Sequence, residues 1–131
     1  MTDHEMLIQL AREVVNPLPL SEPEFSAGTV GCALLAQSGK IFTGICIDLA
    51  CGLGFCAEHA AIAEMLKARE TQIRAIVAVG RTKVLSPCGR CREMMVQVDH
   101  RNLAADVIIA ADKVVKLKEL LPYHWSEVKN A

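Results

Sequence analysis

The chain has 131 residues, which fits a single domain spanning residues 1–131 with a core large enough to fold without disulfides or a structural metal. Of these residues 52% are hydrophobic and only 4% aromatic, so small aliphatic side chains are expected to fill that core. The formal net charge is -1 and the sequence has no long run of like charge, which argues against a protein that binds the phosphate backbone of a nucleic acid. We therefore expect a small-molecule partner and no nucleic acid.

Neither a membrane span nor a secretion signal is expected. No segment approaches the roughly 18 consecutive apolar residues that a span requires. Residues 1–16 carry acidic side chains where a signal peptide has a basic start and an apolar run. A cytoplasmic protein is therefore expected, and six cysteines in a cytosolic chain of this length are more typical of metal binding or catalysis than of a disulfide framework.

The first elements in chain order are a helix and a hairpin. Thr2 and Glu5 form a capping-box pattern, and apolar residues then recur at helical spacing until Pro17. Strand-like runs at residues 30–36 and 41–47 are separated by a Gln-Ser-Gly-Lys turn. This pattern predicts two antiparallel strands.

Helices and strands alternate in the rest of the chain. One helix is predicted to start at Cys56, and another spans residues 88–98. Short apolar runs at residues 75–79 and 106–111 predict strands covered on both faces, and a fifth short strand is expected at residues 114–115. This order predicts an α/β protein with a mixed five-stranded sheet flanked by helices.

Two cysteine motifs carry the chemistry. Cys88 and Cys91 are three residues apart, so in a helical turn they lie on one face and reach one ion, while Cys56 comes from elsewhere in the chain. Helix starts favour thiolates, because unpaired N–H groups lower the pKa of a cysteine there. Three thiolates around zinc leave the fourth position to water, which is typical of a catalytic site. Glu58, two residues after Cys56, is the expected proton carrier.

The thiolates make such a centre anionic. Three of them around Zn²⁺ leave a charge of about minus one, which weakens zinc as a Lewis acid. Arg90 is the expected donor of hydrogen bonds to the sulfurs, with His59 as a second candidate. A solvated surface position is the alternative for Arg90. The alternative for His59 is a fourth zinc ligand, which would close a structural Cys₃His site in a non-catalytic protein.

The motifs Cys56-Ala57-Glu58 and Pro87-Cys88-Gly89-Arg90-Cys91 together match the signature of zinc-dependent base deaminases. The chain resembles the small branch of the cytidine deaminase family that binds zinc through three cysteines. Similar segments start at Val30 and Lys40, and the resemblance covers about residues 25–125. It implies a three-layer cytidine-deaminase-like fold, a Zn²⁺ cofactor, and a homotetramer whose active sites are completed by neighbouring subunits.

The resemblance also implies a reaction. Water activated by zinc attacks the amino-bearing carbon of a cytosine-like ring, and Glu58 carries protons to the ring nitrogen and to the leaving amine. Ammonia leaves and a keto group remains. Burial of Glu58 beside an anionic cluster is expected to raise its pKa. A deaminase of single-stranded nucleic acid is a further alternative, disfavoured by the balanced charge and the scarce aromatic residues.

The expected substrate contacts depart from those of ordinary cytidine deaminases. Cys46-Ile47-Asp48 stands where that family has an Asn-x-Glu pattern that hydrogen-bonds the ribose, and a cysteine cannot supply the donor and acceptor of an amide. Gly28 stands where many relatives have a phenylalanine beside the base. Ser86, at the start of the second motif, is another candidate contact. A cytosine-type nucleoside or a related aminated heterocycle is therefore the predicted substrate.

Two features resemble blasticidin S deaminase, a relative in this family. Arg90 lies inside the second motif, whereas His59 rather than an arginine follows Glu58. The C-terminal stretch containing Tyr123 and Trp125 is also similar to the aromatic end of that enzyme. These two side chains are candidates to close over a substrate. Packing of a terminal tail or a subunit contact is the alternative.

Overall fold

Helices cover both faces of one mixed sheet in the computed structural model, which describes residues 1–129. The strands are β1 (Leu18–Pro19), β2 (Ser26–Ala36), β3 (Ile41–Asp48), β4 (Ile73–Val79), β5 (Val84–Leu85), β6 (Asp106–Ala110) and β7 (Lys113–Lys116). The helices are α1 (Asp3–Val14), α2 (Ala57–Lys67), α3 (Gly89–Val98), α4 (Leu117–Leu120) and α5 (Trp125–Lys129), and a 3₁₀ helix spans His100–Ala104. No helix within residues 1–129 combines the length and hydropathy needed to cross a bilayer.

The five longer strands lie in the order β3-β2-β4-β6-β7. All neighbours are antiparallel except β4 and β6, which are parallel, so the predicted mixed sheet is confirmed. The strand count differs from the predicted five, because β1 and β5 add two-residue pairings to β2 and β4. Two residues are too few to show a hydrophobic period, so the sequence gives no signal for either strand.

Alternation along β2 separates the two cores. Ala33 and Leu35 pack with α1, whereas Cys32 and Leu34 pack with α2 and α3 on the opposite face. Because both faces of the sheet are covered, β4 is almost wholly buried, as its apolar run predicts. The three layers are therefore α1, the sheet, and the pair α2 and α3.

The predicted starts of α1, α2 and α3 are confirmed. Thr2 Oγ1 accepts from the Glu5 backbone N–H at 3.1 Å, and Glu5 Oε2 accepts from the Thr2 N–H at 3.0 Å, which completes the capping box of α1. Cys56 and Cys88 are the N-caps of α2 and α3, both in extended conformation. Each helix therefore begins directly after a motif cysteine.

Gly44 allows β3 to approach α2 closely. A Cβ atom at this position would lie 2.4 Å from the Ala61 nitrogen and 2.7 Å from the Ala57 carbonyl oxygen. Since both atoms belong to the backbone, they could not move aside without displacing the helix. This contact fixes the start of α2, and with it Cys56 and Glu58, against the sheet.

Asn102 connects the segments that contain Thr71, Ile73 and Met95 by hydrogen bonds. Its side chain is fully buried, Oδ1 accepts from the Ile73 N–H at 2.7 Å, and Nδ2 donates to the carbonyls of Thr71 and Met95 at 3.0 and 2.9 Å. These bonds join the start of β4 to the end of α3. A buried polar group without a partner costs about 1–3 kcal/mol. The Ile73 N–H depends most on this amide, because Thr71 is exposed and the Met95 carbonyl also accepts from the Asp99 N–H at 3.4 Å.

We expect Asn102→Ala to lower the free energy of unfolding by about 1–3 kcal/mol, because the buried Ile73 N–H loses its acceptor. Urea unfolding followed by circular dichroism measures the change. Gln97→Ala is the control, since this amide is exposed and donates to Glu93 Oε2 at 3.0 Å. Its effect is expected to stay within about 0.5 kcal/mol. Equal effects of the two substitutions would show that Asn102 does not have this role.

Candidate metal centre and adjoining cleft

The two helix starts bring three thiols together. The Cys56 and Cys88 sulfurs are 3.5 Å apart, as are the Cys88 and Cys91 sulfurs, and all three lie within 4.8 Å of one another. Cys91 is fully buried in the first turn of α3, whereas Cys88 is exposed. The sequence prediction that Cys56 joins the other two from a separate element agrees with this geometry.

The donor set fits zinc. A tetrahedral zinc with bonds of about 2.3 Å to sulfur holds its ligand sulfurs about 3.8 Å apart, close to the spacing seen here. Soft thiolates also select zinc over the harder cations. Among residues 1–129, the cluster able to hold a metal consists of these three cysteines. His59 is not part of it, so the closed Cys₃His site lacks its fourth ligand.

The three thiols differ in their tendency to ionise. Burial opposes ionisation of Cys88, but backbone N–H groups of Cys91 and Arg90 and the neighbouring thiols hold the pKa of Cys88 below its usual value. Burial, together with the bond to Cys88, raises the pKa of Cys56. Burial and the charge of Glu58 raise the pKa of Cys91 strongly.

Glu58 lies in the first turn of α2, next to the thiols. It is 5% exposed and is one of the residues that line the cleft. Burial raises the pKa of Glu58, and hydrogen bonds from its own backbone N–H and from the Cys91 thiol offset part of that increase. The predicted rise is confirmed, with burial as its leading cause. The carboxyl is therefore able to hold a proton nearer neutral pH than an exposed glutamate.

A cleft of about 490 Å³ opens beside this centre. Its walls come from β2, β3, the loop after β3, the start of α2 and the segment before α3. Several predicted site residues lie in these walls: Cys46, Asp48, Cys56, Glu58, Ser86, Cys88 and Arg90. Segments that are far apart in the sequence thus line one cleft, and the three thiols that could bind a metal lie beside it.

Arg90 and His59 differ in their exposure. Arg90 is exposed at the cleft wall, whereas His59 is 9% exposed and its ring is 6.3 Å from that of Phe55. Burial and then the positive charge of Arg90 lower the pKa of His59, which favours the neutral imidazole. Within residues 1–129, His59 Nε2 is buried and has no hydrogen-bond partner. Tempering of the thiolate charge by Arg90 or His59 stays a prediction.

The Cys46 sulfur makes hydrogen-bond contacts with the neighbouring strand. Its Sγ accepts from the Val30 backbone N–H at 3.3 Å and lies 3.2 Å from Thr29 Oγ1. Thr29 Oγ1 also donates to Asp48 Oδ2 at 3.3 Å. Thr29 lines the cleft, and the sequence does not single it out, because a bulge in β2 between Ala27 and Gly31 interrupts the alternation there.

Three predicted substrate contacts lie outside the cleft lining in the part of the chain that the structure describes: Gly28, Tyr123 and Trp125. Gly28 has φ +80° in the β2 bulge, and a Cβ atom there would lie 2.6 Å from the Asn16 carbonyl oxygen. Tyr123 is 83% and Trp125 58% exposed. Contact of these residues with a substrate stays a prediction.

Comparison with known proteins gives consistent results. A profile described as the cytidine and deoxycytidylate deaminase zinc-binding region matches residues 1–106. A cytidine deaminase from Mycobacterium tuberculosis is 31% identical over 100 residues, covering 75% of this chain and 73% of the relative. A probable cytidine deaminase from Dictyostelium discoideum is 33% identical over 76 residues, covering 56% of this chain and 52% of the relative.

Solved structures agree in fold. The crystal structure of cytidine deaminase from Mycobacterium tuberculosis has a TM-score of 0.79 at 27% identity, covering 95% of this chain and 98% of that one. Cytidine deaminase from Burkholderia pseudomallei has a TM-score of 0.76 at 29% identity, with coverages of 95% and 100%. The sequence match and the fold therefore point to one group of proteins.

Proposed function

Because this chain belongs to the cytidine and deoxycytidylate deaminase family of zinc-dependent hydrolases, we propose that it removes the amino group of a cytosine-type nucleoside or related aminated heterocycle. The products are ammonia and the keto compound. The observation that carries the proposal is the buried residue Glu58, which lines a cleft beside three thiols that fit zinc. This pairing supports hydrolysis, whereas a structural metal needs no adjacent proton carrier.

Metal binding and proton transfer are assigned to different residues of the site. Cys56, Cys88 and Cys91 would hold zinc, which when bound supplies Lewis acidity and lowers the pKa of water. The Glu58 carboxylate accepts a proton from the attacking water and delivers it to the ring nitrogen. It then accepts the remaining proton of the hydroxyl group that has been added to the ring carbon and passes it to the amino group, so that the C–N bond breaks, ammonia leaves and the keto group remains. The raised pKa of Glu58 suits this exchange, because the same oxygen must both accept and donate near neutral pH.

An ammonia-release screen of the full zinc-loaded chain tests this function. Suitable compounds are cytosine, cytidine, deoxycytidine, blasticidin S, aminopurines and aminopterins. We expect release from at least one cytosine-type compound. No release from any compound, at one zinc per chain, would overturn the proposal. X-ray absorption separates the non-catalytic alternative, which requires a Cys₃His shell instead of three sulfurs and one oxygen.

Cys46 and Asp48 are proposed to set the specificity for the ring substituent. The Cys46 sulfur already accepts a hydrogen bond from the Val30 N–H and contacts the Thr29 hydroxyl. It therefore has little capacity left to hydrogen-bond a hydroxyl group of the substrate. Asp48 lies in the cleft wall, and its carboxylate oxygens accept hydrogen bonds. We therefore expect this wall to bind ring substituents that donate hydrogen bonds and to repel anionic substituents. The proposed partner is thus a nucleoside or a similar neutral or cationic compound.

We expect Cys46→Asn to raise the ratio of kcat/KM for cytidine to kcat/KM for free cytosine about tenfold, because an amide adds a donor and an acceptor for the sugar. Steady-state kinetics with both compounds gives the ratio. Cys51→Asn is the matched control, since Cys51 is exposed at φ 60°, a conformation that asparagine tolerates. An unchanged ratio in a folded Cys46→Asn variant would exclude this role.

We also propose that the chain forms a homotetramer in the cytoplasm. The family resemblance supports the assembly, and Leu53, 68% exposed in the loop that borders the cleft, offers an apolar contact. All six cysteines are free thiols, which suits a reducing compartment. Light scattering should give about four times the chain mass of 14.2 kDa. A monomer at micromolar concentration would contradict this assembly.

A further inference from the structure

Arg92, the fourth residue of α3, joins three acceptors through its guanidinium. Nε donates to the Pro87 carbonyl oxygen at 2.8 Å, Nη2 to the Ser86 hydroxyl at 3.3 Å, and Nη1 to the Leu120 carbonyl oxygen at 3.1 Å. The side chain is half-buried. A guanidinium is planar and points its donors in fixed directions, so these acceptors are held in fixed positions relative to α3.

Two of the acceptors come immediately before a thiol of the metal centre. The Pro87 carbonyl belongs to the peptide unit that links Pro87 to Cys88, and a hydrogen bond to its oxygen fixes the plane of that unit. Cys88 follows as the N-cap of α3. Ser86 lines the cleft. Arg92 thus holds both the backbone directly before the metal ligand Cys88 and a residue of the cleft wall, Ser86.

The third acceptor belongs to the C-terminal segment. Leu120 ends α4, and the last carbonyls of a helix have no partner within the helix. Beyond it the chain turns at Tyr123, where φ is 54°, and the Trp125 backbone N–H donates to Glu93 Oε1 at 2.9 Å. Arg92 and Glu93 therefore hold this segment on both sides of the turn.

We propose that Arg92 is a positioning residue for the metal centre, which holds Cys88 and Ser86 in place and uses the C-terminal segment as its anchor. The inference rests on the proposed function, because it concerns the same thiol site. Arg92 acts through two carbonyls and a hydroxyl, and this distinguishes it from Arg90, which is exposed at the cleft wall.

Arg92→Lys tests the proposal, because a single ammonium keeps the charge but cannot replace the fork of donors. We expect zinc transfer from the full chain to a chromogenic chelator to become about ten times faster. The thiolate-to-metal absorption band of the Co²⁺-loaded protein should also shift. Arg74→Lys is the matched control, since the Arg74 guanidinium likewise donates to a carbonyl, that of Gln37 at 2.9 Å, outside the cleft lining of the described chain.

Equal zinc transfer in the two variants, at matched melting temperatures, would overturn the proposal. Arg92→Gln keeps an uncharged N–H donor and should show the same acceleration if the lysine variant does not fold. Glu93→Ala removes the acceptor that the Trp125 N–H contacts at 2.9 Å, and an unchanged transfer rate there would remove the C-terminal anchor from the proposal. Absence of ammonia release from the unaltered chain would count against the proposed function alone, because neither zinc transfer nor the cobalt spectrum requires turnover.

Discussion

Glu58→Gln is expected to lower kcat at least about 1,000-fold while zinc stays bound. Glutamine has nearly the same shape, but its amide cannot take a proton from water and pass it on. General acid–base catalysis contributes about 100- to 10,000-fold, and both proton transfers depend on this one carboxyl. Ammonia release gives the rate, and atomic absorption gives the zinc content.

Glu64→Gln is the control for this prediction. Glu64 lies on the same helix, is 54% exposed and pairs with Lys67 at 3.2 Å, so kcat should not change. In the unaltered chain the rate should rise with pH through the pKa of Glu58, since only the carboxylate accepts the proton of water. Because burial raises that pKa, the acidic limb should lie above the range of an exposed glutamate, about 4.3. Full activity of Glu58→Gln at unchanged zinc content would remove Glu58 from the mechanism.

The metal centre could be predicted from the sequence because its geometry is local. Cys56 and Cys88 each precede a helix, and Cys91 follows Cys88 by one helical turn. The helix start fixes where each thiol points, so spacing alone describes most of the site. The approach of Cys56 to Cys88 joins residues 32 positions apart and depends on how the two helix starts pack together.

The walls of the cleft could not be predicted in the same way. Thr29 and Asp48 meet where the pairing of β2 and β3 shifts its register, at the bulge between Ala27 and Gly31, and alternation along a strand does not predict contacts across such a shift. Arg92 reaches Leu120 only because α4 packs near α3, a contact between residues 28 positions apart. Such contacts depend on tertiary packing, which a single sequence does not display.

Cys91→Ala is expected to weaken zinc binding at least about 100-fold, about 2.7 kcal/mol, because one of three thiolate ligands is lost. Activity should fall with zinc occupancy. The fold should persist, since the domain has two buried apolar clusters of its own and the substitution removes one buried atom. Competition with a zinc chelator and thermal unfolding of the metal-free protein measure the two effects separately.

Cys32→Ala is the matched control, because Cys32 is equally buried in the same apolar cluster but lies outside the thiol cluster. Both variants should lose a similar amount of stability, and only Cys91→Ala should lose zinc. This pair also separates a catalytic metal from a structural one. If Cys91→Ala unfolded while Cys32→Ala remained folded, zinc would be holding the fold together. If Cys91→Ala bound zinc as tightly as the unaltered chain, Cys91 would not be a ligand.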